Sequence, residues 1–136
     1  LKDGLITQWF ENGQKMIEGT YKEGKEDGLK TTWFESGQKE SKSTLKDGVL
    51  DGLTNHWFEN GQKQAGGIIK DGKPNGLITQ WFENGQKESE VTFKNGKENG
   101  LVTTWFENGE KKFEGTYKNG KIISRKEWNE DGSVKN

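Results

Sequence analysis

The sequence lacks cysteine altogether, which excludes disulfide bonds and thiolate metal sites and leaves the redox compartment open. It is also poor in apolar residues: only 26% of its 136 positions are hydrophobic, which disfavours an ordinary globule with one large core. No apolar run approaches the roughly 20 residues that a membrane span requires. An excess of one charge is missing as well, because 21 basic and 22 acidic residues leave a formal net charge of −1. Bulk electrostatics therefore gives little support to a nucleic-acid partner, and we expect none.

The sequence leaves open the compartment in which the protein works. No signal peptide is visible, yet the first residue is Leu1 and not methionine, so a removed leader fits the sequence as well. We expect the protein in the cytoplasm or, if a leader was removed, in the cell envelope or outside the cell.

The sequence does contain an internal repeat of 24 residues, which is marked by tryptophan. Six tryptophans follow one another at a spacing of 24, four times, and then of 23: Trp9, Trp33, Trp57, Trp81, Trp105 and Trp128. Each of the first five opens the string Trp-Phe-Glu-Asn-Gly, with Ser in place of Asn in the second copy. We expect a single repeat domain over residues 1–136. Its five units cover 4–27, 28–51, 52–75, 76–99 and 100–123, and a partial unit or cap covers 124–136.

The sequence of each unit favours a β-hairpin. Glycines interrupt the unit too often for a comfortable helix, and Asn-Gly or Asp-Gly between stretches of Thr, Val, Ile and aromatic residues is a strong hairpin signal. In the fourth unit the predicted outgoing strand covers 77–82 and the returning strand covers 86–94. We therefore predict an all-β protein with about 11 strands. The strands would form an elongated, twisted, open-ended single-layer antiparallel sheet of tandem hairpins.

The loop lengths determine which side chains share a face of this sheet. Three-residue loops that end in glycine at both turns of a unit keep even positions opposite even positions. This register predicts one apolar face, which in the first unit carries Leu5, Thr7, Trp9, Ile17, Gly19 and Tyr21. The six tryptophans then form the structural core, partly covered by lysine stems, and the phenylalanine after each of the first five lies on a mainly polar opposite face.

Catalysis finds no support in this pattern, because a repeat places identical groups along a line and not different groups at one point. The glutamates of the Trp-Phe-Glu strings would lie about 9–10 Å apart, which is close to the carboxylate separation of an inverting glycosidase, but at exposed turns. These glutamates are Glu11, Glu35, Glu59, Glu83 and Glu107. The single histidine, His56, has no cysteine or carboxylate pocket to form a metal site. We expect no enzyme activity, no catalytic residue, no cofactor and no metal.

Surface contacts are the better-supported role for the repeated side chains. Cross-strand pairing with acidic residues is the simpler interpretation of the lysine ladders that begin at Lys15 and Lys22, and contact with a polyanion or lipid surface is the alternative. A partner that recognises one register must use residues that differ between units. The candidate partner contacts are therefore the phenylalanine ladder and two of the non-repeated residues: Phe10, Phe34, Phe58, Phe82, Phe106, His56 and Ile69.

The repeated unit resembles a known family. The string Gly-x-x-x-x-Trp-Phe-Glu-Asn-Gly-Gln-Lys, followed by Tyr-Lys-x-Gly-Lys-x-x-Gly, is similar to the bacterial variant of the MORN repeat (membrane occupation and recognition nexus) over residues 4–134. The resemblance implies an elongated sheet of successive hairpins. It also implies an interaction scaffold, since some members have been connected with lipid binding and some bacterial members resemble antitoxin or immunity proteins. The eukaryotic-type unit lacks the Trp-Phe-Glu-Asn-Gly string, which weakens the transfer of lipid binding.

We therefore expect a non-enzymatic scaffold whose elongated surface binds a macromolecule, above all a protein. The alternatives are an antitoxin or immunity protein that neutralises a toxin, and a binder of carbohydrate or lipid surfaces that uses the aromatic stripe. Membrane or glycan contact has the weaker support. Self-association through exposed end strands is a further expectation.

Overall fold

All eleven strands belong to one antiparallel sheet in the computed structural model, which describes residues 1–136. The sheet is a single open layer without helices, in which each strand pairs with the next along the chain, and β1 and β11 form its edges. This architecture confirms the predicted all-β sheet of tandem hairpins. The strands are β1 Gly4–Trp9, β2 Lys15–Lys22, β3 Lys25–Trp33, β4 Lys39–Lys46, β5 Val49–Trp57, β6 Lys63–Lys70, β7 Lys73–Trp81, β8 Lys87–Lys94, β9 Lys97–Trp105, β10 Lys111–Lys118 and β11 Lys121–Glu127.

The first turn of each unit is the predicted three-residue loop, as in Glu11-Asn12-Gly13. The Gly13 N–H donates to the Phe10 carbonyl at 3.0 Å, and the φ angle of Gly13 is 89°, a left-handed conformation that glycine adopts without steric cost. The Asn12 side-chain amide donates to the backbone carbonyl of Glu35 at 2.9 Å. The asparagine of one loop therefore holds the loop of the next unit.

The second turn is shorter than the sequence predicts. Lys22 pairs with Lys25 across Glu23 and Gly24, whose φ angles of 50° and 81° are those of a type I′ turn. The prediction of a three-residue loop at both turns is wrong here. The backbone twist of a two-residue type I′ turn matches the twist of the flanking strands, and the Glu-Gly, Asp-Gly and Asn-Gly pairs at this point suit it.

A β-bulge near the start of each returning strand is absent from the sequence prediction. Trp9 pairs with Lys15 but Gln8 pairs with Ile17, which leaves Met16 as an extra residue in β2. Because of the bulge, odd-numbered positions of β1 share a face with even-numbered positions of β2. The two-residue turn then places those even-numbered positions of β2 opposite odd-numbered positions of β3. The two reversals cancel within each unit, so the same face still recurs every 24 residues.

The predicted common face is consequently wrong. Leu5 pairs with Thr20 and Thr7 pairs with Glu18, whose carboxylate accepts a hydrogen bond from Thr7 Oγ1 at 2.9 Å. The tryptophan face is the side that carries Leu5, Thr7 and Trp9, their equivalents in other units, and the lysine that opens each returning strand. The phenylalanine face is the other side, and in the first unit it carries Ile6, Gln8, Phe10, Ile17, Gly19 and Tyr21.

The phenylalanine face is also less polar than predicted. Ile6, Ile17 and Tyr21 lie on it and are half-buried. The leucines of the tryptophan face, in contrast, are between 48% and 65% exposed: Leu5, Leu29, Leu53, Leu77 and Leu101. The bulge therefore gives the phenylalanine face most of the apolar packing and leaves a row of leucines in contact with solvent.

The buried part of the molecule is confined to the middle of the strands. Only seven of the 136 residues are buried, Val102 is the single hydrophobic residue among them, and no large side chain is fully enclosed. Thr103 and Thr79, at the centre of the tryptophan face, are 4% and 8% exposed. Each unit therefore depends on the strands beside it for burial, as expected of a repeat sheet.

The tryptophans predicted as the structural core are partly covered. Trp9 on the edge strand is 57% exposed, and the other five are half-buried. The ammonium groups of Lys15, Lys63, Lys87 and Lys111 lie 5.6, 5.5, 6.0 and 5.8 Å from the rings of Trp33, Trp81, Trp105 and Trp128. Lysine stems therefore cover tryptophans, as predicted, and add cation–π attraction.

Candidate binding surface

Two adjoining concavities of about 710 Å³ each lie on the phenylalanine face of the first three units. One is lined by Phe10 and Phe34, the other by Phe34 and Phe58, and both share Glu40 and Glu59. We call the continuous depression formed by both the phenylalanine groove. It is open to solvent along its length, and so it has the shape of a docking surface and not of an enclosed reaction pocket.

The loop of each unit fixes the phenylalanine that lines the groove. Phe10 N–H donates to the Gln14 carbonyl at 2.8 Å, while its own carbonyl accepts from Gly13 N–H at 3.0 Å. The same two bonds hold Phe34 and Phe58. Because the backbone is fixed on both sides, the half-buried rings stand at regular intervals of one hairpin.

The bulge adds a variable side chain next to each phenylalanine. This extra residue is Met16, Glu40, Gln64, Glu88 or Lys112 in successive units. Glu40 Oε1 accepts from Thr32 Oγ1 at 3.0 Å, which holds it on the phenylalanine face. In the last unit the Lys112 ammonium lies 5.6 Å from the ring of Phe106. Only the second and fourth units share the same neighbour, a glutamate, so this position helps a partner to distinguish the units.

The groove has an acidic character. Its lining includes four carboxylates, those of Glu35, Glu40, Glu59 and Glu83, whereas His56 is its only basic side chain. Aromatic rings with carboxylates around them favour a ligand that combines apolar and cationic groups.

The structure brings together four of the seven predicted contact residues. Phe10, Phe34, Phe58 and His56 line the groove. Phe82 and Phe106 occupy equivalent positions farther along the same face. Ile69 is half-buried on this face but pairs with Gly52 and Pro74, in a row of side chains outside the groove.

Sequence reasoning missed the acidic rim of the groove. Glu35, Glu59 and Glu83 are predicted only as an exposed ladder at the turns, and Glu40 is not singled out at all. A predicted bulge at this point would have identified Glu40, because the bulge places the side chain of the extra residue on the phenylalanine face, whereas Lys39 before it lies on the tryptophan face.

The tryptophan face contains ion pairs within single strands. Lys15 Nζ lies 3.0 Å from Glu18, and the equivalent pairs in the fourth and fifth units measure 2.9 and 2.8 Å. The hydrogen bond from Lys15, followed by that from Thr7, lowers the pKa of Glu18 from its ordinary value of 4.5. The predicted cross-strand pairing is therefore wrong for these three lysines, because each pairs with a glutamate three residues along its own strand.

Two other kinds of feature are absent from the structure. No three His, Asp or Glu side chains lie close enough together to hold a metal ion. No helix has the length and apolarity needed to span a bilayer.

Comparison with known families agrees with the geometry of the hairpins. Residues 2–23, 74–95 and 98–119 match the family model for the MORN repeat variant. At these three places the chain is similar to the MORN repeat variant. The matches begin 72 and 24 residues apart, which are whole multiples of the repeat. No curated protein matches the chain. A sheet of MORN repeats is typically a non-enzymatic scaffold for binding, and this description fits the open surface of the chain.

The unmatched segment between the first two MORN matches is where the groove differs most from a regular array. Residues 24–73 include His56 and the bulge residues Glu40 and Gln64, yet they form the same strands and turns as the matched repeats. The side chains that differ between units are therefore carried by a backbone that keeps the strands and turns of the repeat.

Proposed function

We propose that this chain is a non-enzymatic scaffold that binds a protein through the phenylalanine groove. The observation that carries the proposal is the run of three half-buried phenylalanines, Phe10, Phe34 and Phe58, inside one acidic depression. Aromatic side chains in concave surfaces are the usual anchors of protein interfaces. An open groove with no convergent set of catalytic groups supports binding and not catalysis.

The chemistry of the groove defines the class of segment that it accepts. An extended peptide with apolar side chains would place them between the rings, and Lys or Arg side chains would reach the carboxylates of Glu35, Glu40 and Glu59. His56 and Gln64 give the third unit its own contacts. A toxin that presents such a segment would make the chain an antitoxin or immunity protein, and the sequence of the partner decides this point.

The experiment is a selection of displayed random peptides on the whole chain, followed by calorimetry of the best peptide on variants. We expect the selected peptides to be basic and apolar. Phe34→Ala should weaken binding at least tenfold, because Phe34 lines both concavities. Phe106→Ala is the matched control: it removes the same side chain from the same repeat position outside the groove, and should change the affinity less than twofold.

Two further variants test the charge and the register. Glu40→Lys should weaken binding strongly, and His56→Gln, which installs the residue of the first and fourth units, should weaken it moderately. Equal losses for Phe34→Ala and Phe106→Ala would contradict the proposal. Saturable binding of glycans or anionic vesicles, with no peptide selected, would also contradict it.

A further inference from the structure

The tryptophan face repeats one ion-pair geometry in three of its five units. The lysine that opens the returning strand contacts a glutamate three residues later in Lys15–Glu18, Lys87–Glu90 and Lys111–Glu114, at 2.8 to 3.0 Å. The glutamate stands at the centre of the face, where Glu18 pairs with Thr7 on one side and Thr31 on the other.

The second and third units keep the lysine and lose the carboxylate. Lys42 stands where the second unit would have its glutamate, and Gly66 stands there in the third. None of the five ion pairs in the chain includes Lys39, Lys42 or Lys63. Three ammonium groups on β4 and β6, the strands on either side of β5, therefore have no carboxylate partner, and that of Lys63 lies 5.5 Å from the Trp81 ring.

The glutamates nearest to this cluster in sequence point to the other face. Glu40 follows Lys39 directly but accepts a hydrogen bond from Thr32 and lines the phenylalanine groove. Glu59 lines the same groove. Lys39 and Lys42 therefore repel each other, whereas the equivalent positions of the first, fourth and fifth units hold a lysine and a glutamate that attract each other. An anion bound between Lys39 and Lys42 would be attracted by both.

The surroundings of the cluster complete a docking surface. The side chains of Asn55 and Lys63 both lie over Gly66, which has no side chain of its own, so the Asn55 amide lies beside the stem of Lys63. Beside them, Leu53 and Ile68 pair across β5 and β6 and are 53% and 45% exposed. Other units pair this leucine with threonine, so the apolar patch is largest beside the unpaired lysines.

We propose that Lys39, Lys42 and Lys63 form a site for the carboxylates of an acidic protein segment. In the first, fourth and fifth units the chain's own glutamate pairs with the lysine, and here the carboxylates of the bound segment would take that place. An apolar side chain of the segment would pack against Leu53 and Ile68. This site lies on the face opposite to the phenylalanine groove and prefers the opposite charge. It therefore goes beyond the proposed function and does not depend on it.

The test uses a hexaglutamate peptide, titrated into the whole chain at low ionic strength and followed by calorimetry and by the indole N–H signal of Trp57. Trp57 pairs with Lys63, so its signal reports on the site. We expect binding that weakens steeply as salt is added. Lys42→Glu restores the internal ion-pair geometry, so it should keep the fold and weaken peptide binding at least fivefold. Lys118→Glu is the control, since it makes the same charge change on an exposed lysine of β10.

Each outcome decides the proposal. Loss of binding with Lys42→Glu and retention with Lys118→Glu would support it. Equal effects of the two variants, or no peptide binding at low salt, would overturn it. Anionic vesicles that bind through Lys42 while the peptide does not would overturn it as well. If Lys42→Glu loses its strand signal in circular dichroism, Lys39→Gln combined with Lys63→Gln replaces it, with the same fivefold loss expected.

Discussion

The sharpest test of the strand packing is Gly67→Ala in β6. A Cβ built on Gly67 would lie 2.7 Å from the backbone carbonyl oxygen of Leu77 and 3.1 Å from Ile78 Cα, and would overlap Ile78 Cδ1. Ordinary carbon contacts begin at about 3.4 Å, so β6 and β7 would have to separate by roughly 0.7 Å at this point. A side-chain rotation of Ile78 cannot remove the contacts with its backbone.

The expected magnitude follows from two opposing effects. Overpacking that moves backbone costs about 1–3 kcal/mol, while replacing glycine by alanine stabilises by about 0.4–1 kcal/mol through the unfolded chain. Gly67→Ala should therefore lower the free energy of unfolding by about 1–2 kcal/mol. Gly19→Ala is the matched control at the same repeat position, because its Cβ would meet only the Lys30 side chain, at 3.8 Å or more. We expect Gly19→Ala to be neutral or stabilising.

Urea unfolding followed by tryptophan fluorescence measures both variants against the parent chain. The midpoint should fall for Gly67→Ala and stay or rise for Gly19→Ala, with unchanged slope. If both variants shifted the midpoint equally, or if Gly67→Ala were the more stable, the close approach of β6 and β7 would be refuted.

Two further predictions concern polar contacts between neighbouring elements. Ser36→Asn should raise the free energy of unfolding by about 0.5–1 kcal/mol, because the side-chain amide would donate a hydrogen bond to the next loop, as Asn60 does to the Glu83 carbonyl at 3.1 Å. Urea unfolding measures this change, and Asn60→Ser should lower the free energy of unfolding by a similar amount. The lowered pKa of Glu18 means that its contribution to stability is present above about pH 4.5 and is lost as the pH falls through the lower folded-state pKa. Thr7→Val should move this pKa upward in a carboxylate NMR titration, and an unchanged pKa would show that Thr7 Oγ1 does not stabilise the carboxylate.

The sequence predicts the hairpins and the first loop because their signals are local. Tryptophan and glycine spacing defines the period, and Glu-Asn-Gly specifies a loop that needs a left-handed glycine. The faces of the sheet depend instead on two features that composition does not reveal. The bulge at Met16 and the two-residue turn at Glu23 each reverse the alternation, and only the pairing of backbone groups distinguishes this combination from two three-residue loops.

The candidate site is predictable only in part for the same reason. The phenylalanines and His56 stand out in the sequence because they are repeated or unique. Glu40 and Lys42 do not, since their significance depends on which face each side chain occupies. Because Glu40 is the extra residue of the bulge, its side chain lies in the acidic phenylalanine groove. The side chain of Lys42, two residues later, lies on the tryptophan face with the other unpaired lysines.

The paired reversals within each hairpin restrict how such a chain can change its length. Removing one bulge residue, or adding one residue to a two-residue turn, would move the side chains of every later strand to the opposite face of the sheet. The leucines and lysines of the tryptophan face would then lie on the face where isoleucines and tyrosines pack, and the reverse. Whole hairpins, in contrast, can be copied or lost without any such inversion. An array of this type is therefore free to lengthen in steps of 24 residues, and is penalised for almost any smaller step within a strand.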